Sequence, residues 1–264
     1  MRLPLFHPHT VFLLGASRGI GKALALEYAG QGAALVLGSR DVAALEHLVE
    51  IIRARGGKAW FVHCDARDHE SVLEAVAFAD RTLGEIELAI LNAGVGGPDW
   101  MASPDLETAR DLFAVNTFGI LHGIKALVPP MRMRGGGVIA GVSSLADVRG
   151  YPGSGLYSAS KAAATVLLEA ARVELRPLGI RVVTIRPGFV RTAMTAKNEF
   201  RMPFIMEPER AARIIRRGIE RGKSMVRFPF PLVLASGIAR VMPSRLFDRV
   251  LPRLRGGLRR SAGP

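Results

Sequence analysis

The sequence predicts a doubly wound α/β domain, a parallel sheet of about seven strands with helices on both faces. Apolar, β-branched runs alternate with amphipathic helical patterns at near-regular intervals, which is the signature of βαβ units. The first of those runs ends in a glycine-rich turn that opens a helix. The size also fits: 264 residues, 49% of them hydrophobic, bury one large core without covalent staples.

The strands are expected at Val11 to Leu14, Ala34 to Leu37, Ala59 to His63, Leu88 to Leu91, Val138 to Val142, Val182 to Ile185 and Ser224 to Arg227. Each is a short, nearly continuous apolar run, as a strand covered on both faces requires. Helical periodicity fills the gaps at Lys22 to Ala29, Val42 to Arg55, Ser71 to Leu83, Leu106 to Val128 and Ser158 to Leu175. Pro177 and Leu178-Gly179 stop the last of these. No composition break divides residues 1–190 and no internal repeat appears; residues 1–227 read as one domain, and residues 228–264 read as its basic, partly apolar extension. From Thr192 to Pro208 no period holds, which fits a substrate lid or an ordinary connection; then Ala211, Ile215 and Ile219 share a helical face.

Composition excludes several classes. The apolar fraction excludes disorder. The single Cys64 can form no internal disulfide and supplies no zinc knuckle or iron–sulfur cradle, so a reducing, cytoplasmic setting is expected. The histidines lack metal-ligand spacing, and no metal is expected. Residues 1–10 lack the apolar core of a secretory signal.

The net charge of +13 is local: residues 1–200 hold 21 basic and 19 acidic residues, residues 201–264 hold 15 and 4. A basic tail suits an anionic surface or is simply solvated. Phe228 to Met242 is too short and interrupted to span a bilayer, which needs roughly 20 apolar residues. Phe228, Phe230, Leu232, Val233, Leu234 and Ile238, followed by Arg240, Arg245, Arg249, Arg253, Arg255, Arg259 and Arg260, fit a peripheral membrane contact. A pocket wall or subunit contact would explain the same apolar residues. Aromatic residues are not interleaved with the cations after Phe247, so no nucleic-acid partner is expected.

The turn after the first strand reads Gly15-Ala16-Ser17-Arg18-Gly19-Ile20-Gly21, a GxxxGxG spacing. Glycines there let the backbone approach a pyrophosphate, held by the amides and positive end of the following helix. Tyr157 and Lys161, four apart on an expected helix, leave the same face. An ammonium about 5 Å away, at an effective dielectric near 20, would favour the phenolate by about 3 kcal/mol, or roughly two pKa units.

With Tyr157-Ser158-Ala159-Ser160-Lys161 added to the glycine turn, the chain resembles the short-chain dehydrogenase/reductases of ordinary single-domain type, over residues 10 to about 227. The motifs that carry the resemblance occur in family order: Gly15 to Gly21, Asp65 after the third strand, Leu91-Asn92-Ala93-Gly94 after the fourth, Asn116, Ser143-Ser144, Tyr157 with Lys161, and Pro187-Gly188-Phe189-Val190-Arg191-Thr192. The resemblance implies a Rossmann-type dinucleotide-binding and catalytic domain. Its activity would be reversible hydride transfer between NADP(H) and a carbonyl or secondary alcohol, in a homodimer or homotetramer. Family spacing selects Ser144, thirteen residues before the tyrosine, over Ser143 as the group on the substrate oxygen. It makes Tyr157 the proton donor, gives Lys161 the nicotinamide ribose, and gives Asn116 a water that links the lysine to solvent. The implied cofactor set is Gly15, Ser17, Arg18, Gly19, Ile20, Gly21, Ser39, Arg40, Asp65, Ala66, Asn92, Ala93, Gly94, Tyr157, Lys161, Pro187, Gly188, Val190 and Thr192. Asn92 would stabilise the sheet, Gly94 would admit the adenosine ribose, and Asp65 would accept from the adenine amino group unless it caps the next helix. Leu14 stands where the family usually has Thr, which should loosen the turn.

The second strand runs into Gly38-Ser39-Arg40 with no acid at its end, and Arg18 adds a second cation, so NADP is favoured over NAD. Asp41 could turn inward or pair with Arg40. Phe200, Met202, Phe204, Ile205 and Met206 suggest an apolar pocket for a lipid-like, steroid-like or aromatic ketone. Two other readings compete. Ser158 to Lys161 fits the S-x-x-K pattern of a serine acyl-transfer hydrolase, without the S-D-N and K-T-G elements it needs. A non-catalytic dinucleotide-binding redox sensor would not need Ser144, Tyr157 and Lys161 intact.

Overall fold

The computed structural model of the chain describes residues 6–97, 99–198 and 200–254. Its sheet has seven parallel strands: β1 (Thr10–Leu14), β2 (Ala34–Ser39), β3 (Lys58–His63), β4 (Leu88–Leu91), β5 (Gly137–Val142), β6 (Ile180–Pro187) and β7 (Met225–Phe228). Their order is β3-β2-β1-β4-β5-β6-β7. The strand alternation divides the core in two. Val11 and Leu13 of β1 pack on one face with Leu35, Leu37 and Ile90, whereas Phe12 and Leu14 pack on the other with Val36 and Leu91.

The first face is covered by α1 (Gly19–Ala29), α2 (Val42–Ala54) and α7 (Pro208–Glu220), through Leu24, Leu45, Ile215 and Ile219. The second is covered by α3 (His69–Leu83), α5 (Gly119–Met133) and α6 (Gly155–Glu174), through Val76, Leu127 and Leu168. Order reverses between β1 and β4, and ligands of open α/β sheets bind in the crevice outside that switch point.

One expected helix is interrupted. The pattern from Leu106 to Val128 forms α4 (Leu106–Phe113) and α5 with a single π turn, Ala114–Phe118, between them. π turns inside helices occur mostly at functional positions. The segment also continues through Pro129 and Pro130 to Met133, where burial of Met131 against the sheet offsets the lost ladder bonds. By length and composition the run Leu106–Met133 could cross a membrane, yet half of its most apolar 18-residue stretch is buried inside this fold. After β7 come α8 (Phe230–Val241) and α9 (Ser244–Leu254).

Candidate active site

The glycine turn and the end of β4 form one unit. Gly15 and Gly19 adopt φ of +85° and +56°, open only to glycine without strain. A Cβ on Gly15 would stand 2.6 Å from the Ala93 nitrogen, and one on Gly21 2.0 Å from the Gly15 oxygen. Asn92 Nδ2 donates to that oxygen at 2.8 Å, and the Asn92 amide donates to the Leu14 carbonyl at 3.0 Å. The turn is thus held despite the missing threonine: Gly15 N donates to Gly38 O at 2.7 Å, and the Leu14 side chain is buried in the core. Arg18 begins α1 with extended backbone, no side chain caps the helix, and its first turn holds no acid. Its free amides and positive end therefore face the cleft as an anion site.

At the end of β2, Ser39 Oγ donates to Ser17 Oγ at 3.0 Å, and Ser39, Arg40 and Arg18 line the same cleft. Asp41 neither turns inward nor pairs with Arg40: its carboxylate caps α2, accepting from Ala44 N at 3.1 Å. Asp65 and Ala66 line the cleft beyond. The cap of α3 is Asp68, so the alternative role for Asp65 falls away. Burial alone would raise the Asp65 carboxyl, but hydrogen bonds from Arg67, the closest at 2.6 Å, hold it below its ordinary range. Cys64, also in the cleft wall, is pushed up to about 12 by burial and stays an unreactive thiol.

Ser144, Tyr157 and Lys161 come together at the other end of this cleft, beside Asn92-Ala93-Gly94 and Pro187, Gly188, Val190 and Thr192. Ser144 caps a 3-10 turn, Leu145–Val148, its Oγ accepting from Ala146 N at 3.1 Å. Lys161 is 3% exposed and Nζ donates to the Val142 carbonyl at 3.0 Å. Burial lowers its pKa to about 8, against the opposing pull of Asp147. The expected lowering of Tyr157 is not found. Burial pushes its phenol above the ordinary range, only partly opposed by the Ser144 hydroxyl, because the low-dielectric setting penalises the phenolate. At neutral pH the Tyr157 phenol therefore keeps its proton.

Asn116, in the π turn, is fully buried. Its Oδ1 accepts from Val95 N at 2.9 Å, and its Nδ2 donates to Val95 O and Ser160 Oγ, both at 3.0 Å. That side chain stitches the loop after β4 to α6 and does not line the cleft. Gly94 packs between it and the lysine: a Cβ there would lie 3.3 Å from both Asn116 Oδ1 and Lys161 Nζ. Ser158, the nucleophile of the hydrolase reading, is 2% exposed and faces the interior.

A family model described as short chain dehydrogenase matches residues 9–202. The chain belongs to the short-chain dehydrogenase family. It is 38% identical over 246 residues to an "uncharacterized oxidoreductase" of Myxococcus xanthus, covering 93% of this chain and 97% of that one. It is 33% identical over 180 residues to the 7alpha-hydroxysteroid dehydrogenase of Escherichia coli K12, covering 68% and 70%. Among solved structures it superposes on a short chain dehydrogenase/reductase from Burkholderia phymatum in complex with NAD, with a TM-score of 0.82, 23% identity, and coverage of 88% and 93%. An alcohol dehydrogenase from Thermococcus sibiricus complexed with 5-hydroxy-NADP gives a TM-score of 0.75 at 27% identity, covering 83% and 95%.

In this short-chain dehydrogenase a second cavity, of about 690 Å³, opens from the same centre, and Ser144, Tyr157, Gly188, Met194 and Thr195 line both spaces. Its walls are largely apolar: Leu145, Phe189, Phe200, Leu232, Ala239, Met242 and Phe247. Of the five residues expected to line it, Phe200 does. Met206 instead packs into the core beneath α7, and Phe204 is 60% exposed. The walls supplied by α8 and α9 are latched by Arg149, which donates to the Met242 carbonyl at 2.9 Å and stacks on Phe247 at 4.5 Å. Leu232 and Ile238, read from sequence as membrane-facing, line this cavity.

Two supporting groups escape sequence reading. Asp99, 6% exposed in the loop after β4, accepts from Leu156 N at 3.0 Å and from Tyr157 N at 3.2 Å, so it caps α6 at the tyrosine itself. Asp147, in the turn behind Ser144, bonds Arg186 of β6 and accepts from Thr165 Oγ1 at 2.6 Å. The signal for the second pair was an arginine inside a buried strand, which demands an anionic partner.

Proposed function

We propose that the protein reduces the carbonyl of an apolar substrate to a secondary alcohol, reversibly, with NADP(H). The observation that carries this reading is that Ser144 and Tyr157 stand in the wall shared by the cleft at the glycine turn and an apolar cavity of substrate size. The amides of Gly15 to Gly21 would hold the pyrophosphate, Asp65 and Ala66 the adenine, and Asn92, Ala93 and Gly94 the adenosine side of the cleft. Arg18, Arg40 and Ser39 suit a ribose 2'-phosphate, with the Asp41 carboxylate turned away to cap α2. Lys161 would grip the nicotinamide ribose, with Pro187, Gly188, Val190 and Thr192 flanking that end.

A nicotinamide held there would supply the hydride for the carbonyl carbon. Ser144 Oγ donates a hydrogen bond to the carbonyl oxygen as charge develops on it. Tyr157, which holds its proton at neutral pH, then delivers it to that oxygen. Asn116 holds the loop after β4 against α6 so that these groups keep their spacing. The steroid dehydrogenase among the relatives is consistent with a bulky apolar substrate. Exposed Phe118, Leu121, Val166 and Val173 on α5, its preceding turn and α6 support self-association of the chain. A panel of aliphatic, steroid and aromatic ketones, with NADPH oxidation followed optically, tests the reading.

A further inference from the structure

Helix α8 is apolar on two opposite sides. Leu232, Ala235 and Ala239 line the cavity, whereas Phe230, Leu234, Ile238 and Val241 are 77%, 56%, 51% and 80% exposed. Their spacing of four, four and three places them in one outward stripe. A surface helix in water carries its polar residues on that side, so the stripe marks a face made to be covered. The charges that follow it along the chain are nearly all of one sign: Arg240, Arg245 and Arg249 are exposed on α8 and α9, with Asp248 the single acid after Glu220. The side chain of Arg253, and Arg255, Arg259 and Arg260, lie outside what the structure describes.

We infer that this stripe and the flanking arginines form a docking surface for an anionic lipid bilayer, with α8 lying in the interface. Apolar insertion joined to basic attraction is the physical requirement for interfacial binding, and both parts occur here on adjoining helices. Charge complementarity decides for lipid over a second copy of this chain, because pairing the face with itself would bring the arginines against one another. Ile238 belongs to both sides of α8, lining the cavity and reaching the exterior. The wall of the apolar cavity would then rest on the bilayer, a consequence that rests on the reductase reading, whereas the docking does not.

The test is flotation of the full chain with vesicles of phosphatidylglycerol and, separately, of phosphatidylcholine. Binding to the anionic vesicles at low salt, weakened by added salt, is expected. The double variants Phe230→Ser/Leu234→Ser and Arg240→Glu/Arg245→Glu should each lose about tenfold or more of that binding. Both should keep the parent melting temperature and the parent NADPH-dependent turnover of a water-soluble ketone, since none of these residues lines the cavity. Absence of binding by the parent, binding that ignores salt, or folded variants that bind like the parent would overturn the proposal. So would a stripe variant that only lowers the oligomeric state in light scattering, which would assign the face to a second copy. Loss of turnover in the parent itself, with vesicle binding intact, would instead strike the reductase reading alone.

Discussion

Arg186 and Asp147 form an ion pair sealed beneath the candidate serine, with side chains 6% and 1% exposed. The pair joins three elements. Arg186 comes from β6, Asp147 from the turn that starts at Ser144, and Thr165, one helical turn beyond Lys161, donates to the same carboxylate. Ser143 closes the network, lying 2.6 Å from Thr165 Oγ1 and donating to the Lys161 carbonyl at 2.9 Å. The pair therefore fixes the serine turn against the helix that carries the tyrosine and lysine.

Asp147→Asn should leave Arg186 as a buried charge without its counter-ion. Loss of one partner of a buried pair costs about 3–5 kcal/mol, so urea unfolding should shift by that order. Turnover in the surviving folded fraction should fall as well, because the serine turn loses its anchor. A variant as stable and as active as the parent would show that the pair positions nothing.

Asp99 makes a smaller, more local prediction. Asp99→Ala removes a carboxylate that accepts from two amides at the start of α6, one of them that of Tyr157. Loss of such a cap costs about 0.5–2 kcal/mol. Turnover should drop while cofactor affinity, measured by nucleotide fluorescence, stays near the parent value, since Asp99 is outside the nucleotide cleft. An equal loss of both would point to general disorder of the site instead.

The pH dependence follows from two buried groups shifted in opposite senses. Tyr157 lies above its ordinary range and keeps its proton, so the first of the pair to titrate on the alkaline side is Lys161, at about 8. Its ammonium is present below that value and lost above it. Carbonyl reduction should thus be level towards neutrality and fall as pH rises through about 8. In Lys161→Met that inflection should vanish from a much lower baseline. Reduction that keeps rising beyond pH 9 would contradict the assignment.

Much of this was legible in the sequence because the physics is local. Strands buried on both faces write themselves as apolar runs, and all seven runs pair in the sheet. Helix ends were less legible. The π turn at Asn116 depends on Val95 and Ser160, which lie 21 and 44 residues away along the chain. The cap of α6 depends on Asp99, 57 residues before Leu156. The titration of Tyr157 was misjudged for a related reason: spacing on a helix suggests an ammonium acting on the phenol, whereas desolvation by burial is what chiefly shifts it. The cavity walls were misplaced because Met206 and Leu232 look alike as letters, and only packing separates a core residue from a lining one.

Nucleotide choice is testable at Arg40. Arg40→Asp removes a cation from the cleft and installs an acceptor for a ribose 2'-hydroxyl. The ratio of kcat/KM for NADPH over NADH should fall by at least about tenfold, the loss of one charge-assisted contact of roughly 1.5–3 kcal/mol. A parent enzyme that already uses both nucleotides equally would remove the basis for this reading of Arg18, Ser39 and Arg40.

The most direct test compares the parent with Tyr157→Phe on an apolar ketone, with NADPH oxidation followed optically and NADPH binding measured in parallel. The variant keeps the ring that packs in the cavity wall and loses only the hydroxyl that would donate the proton. General acid catalysis contributes about 10²–10⁴-fold, so turnover should fall by that factor with NADPH affinity close to the parent value. Turnover within about tenfold of the parent would contradict the account, because that is less than the smallest contribution expected of a positioned proton donor.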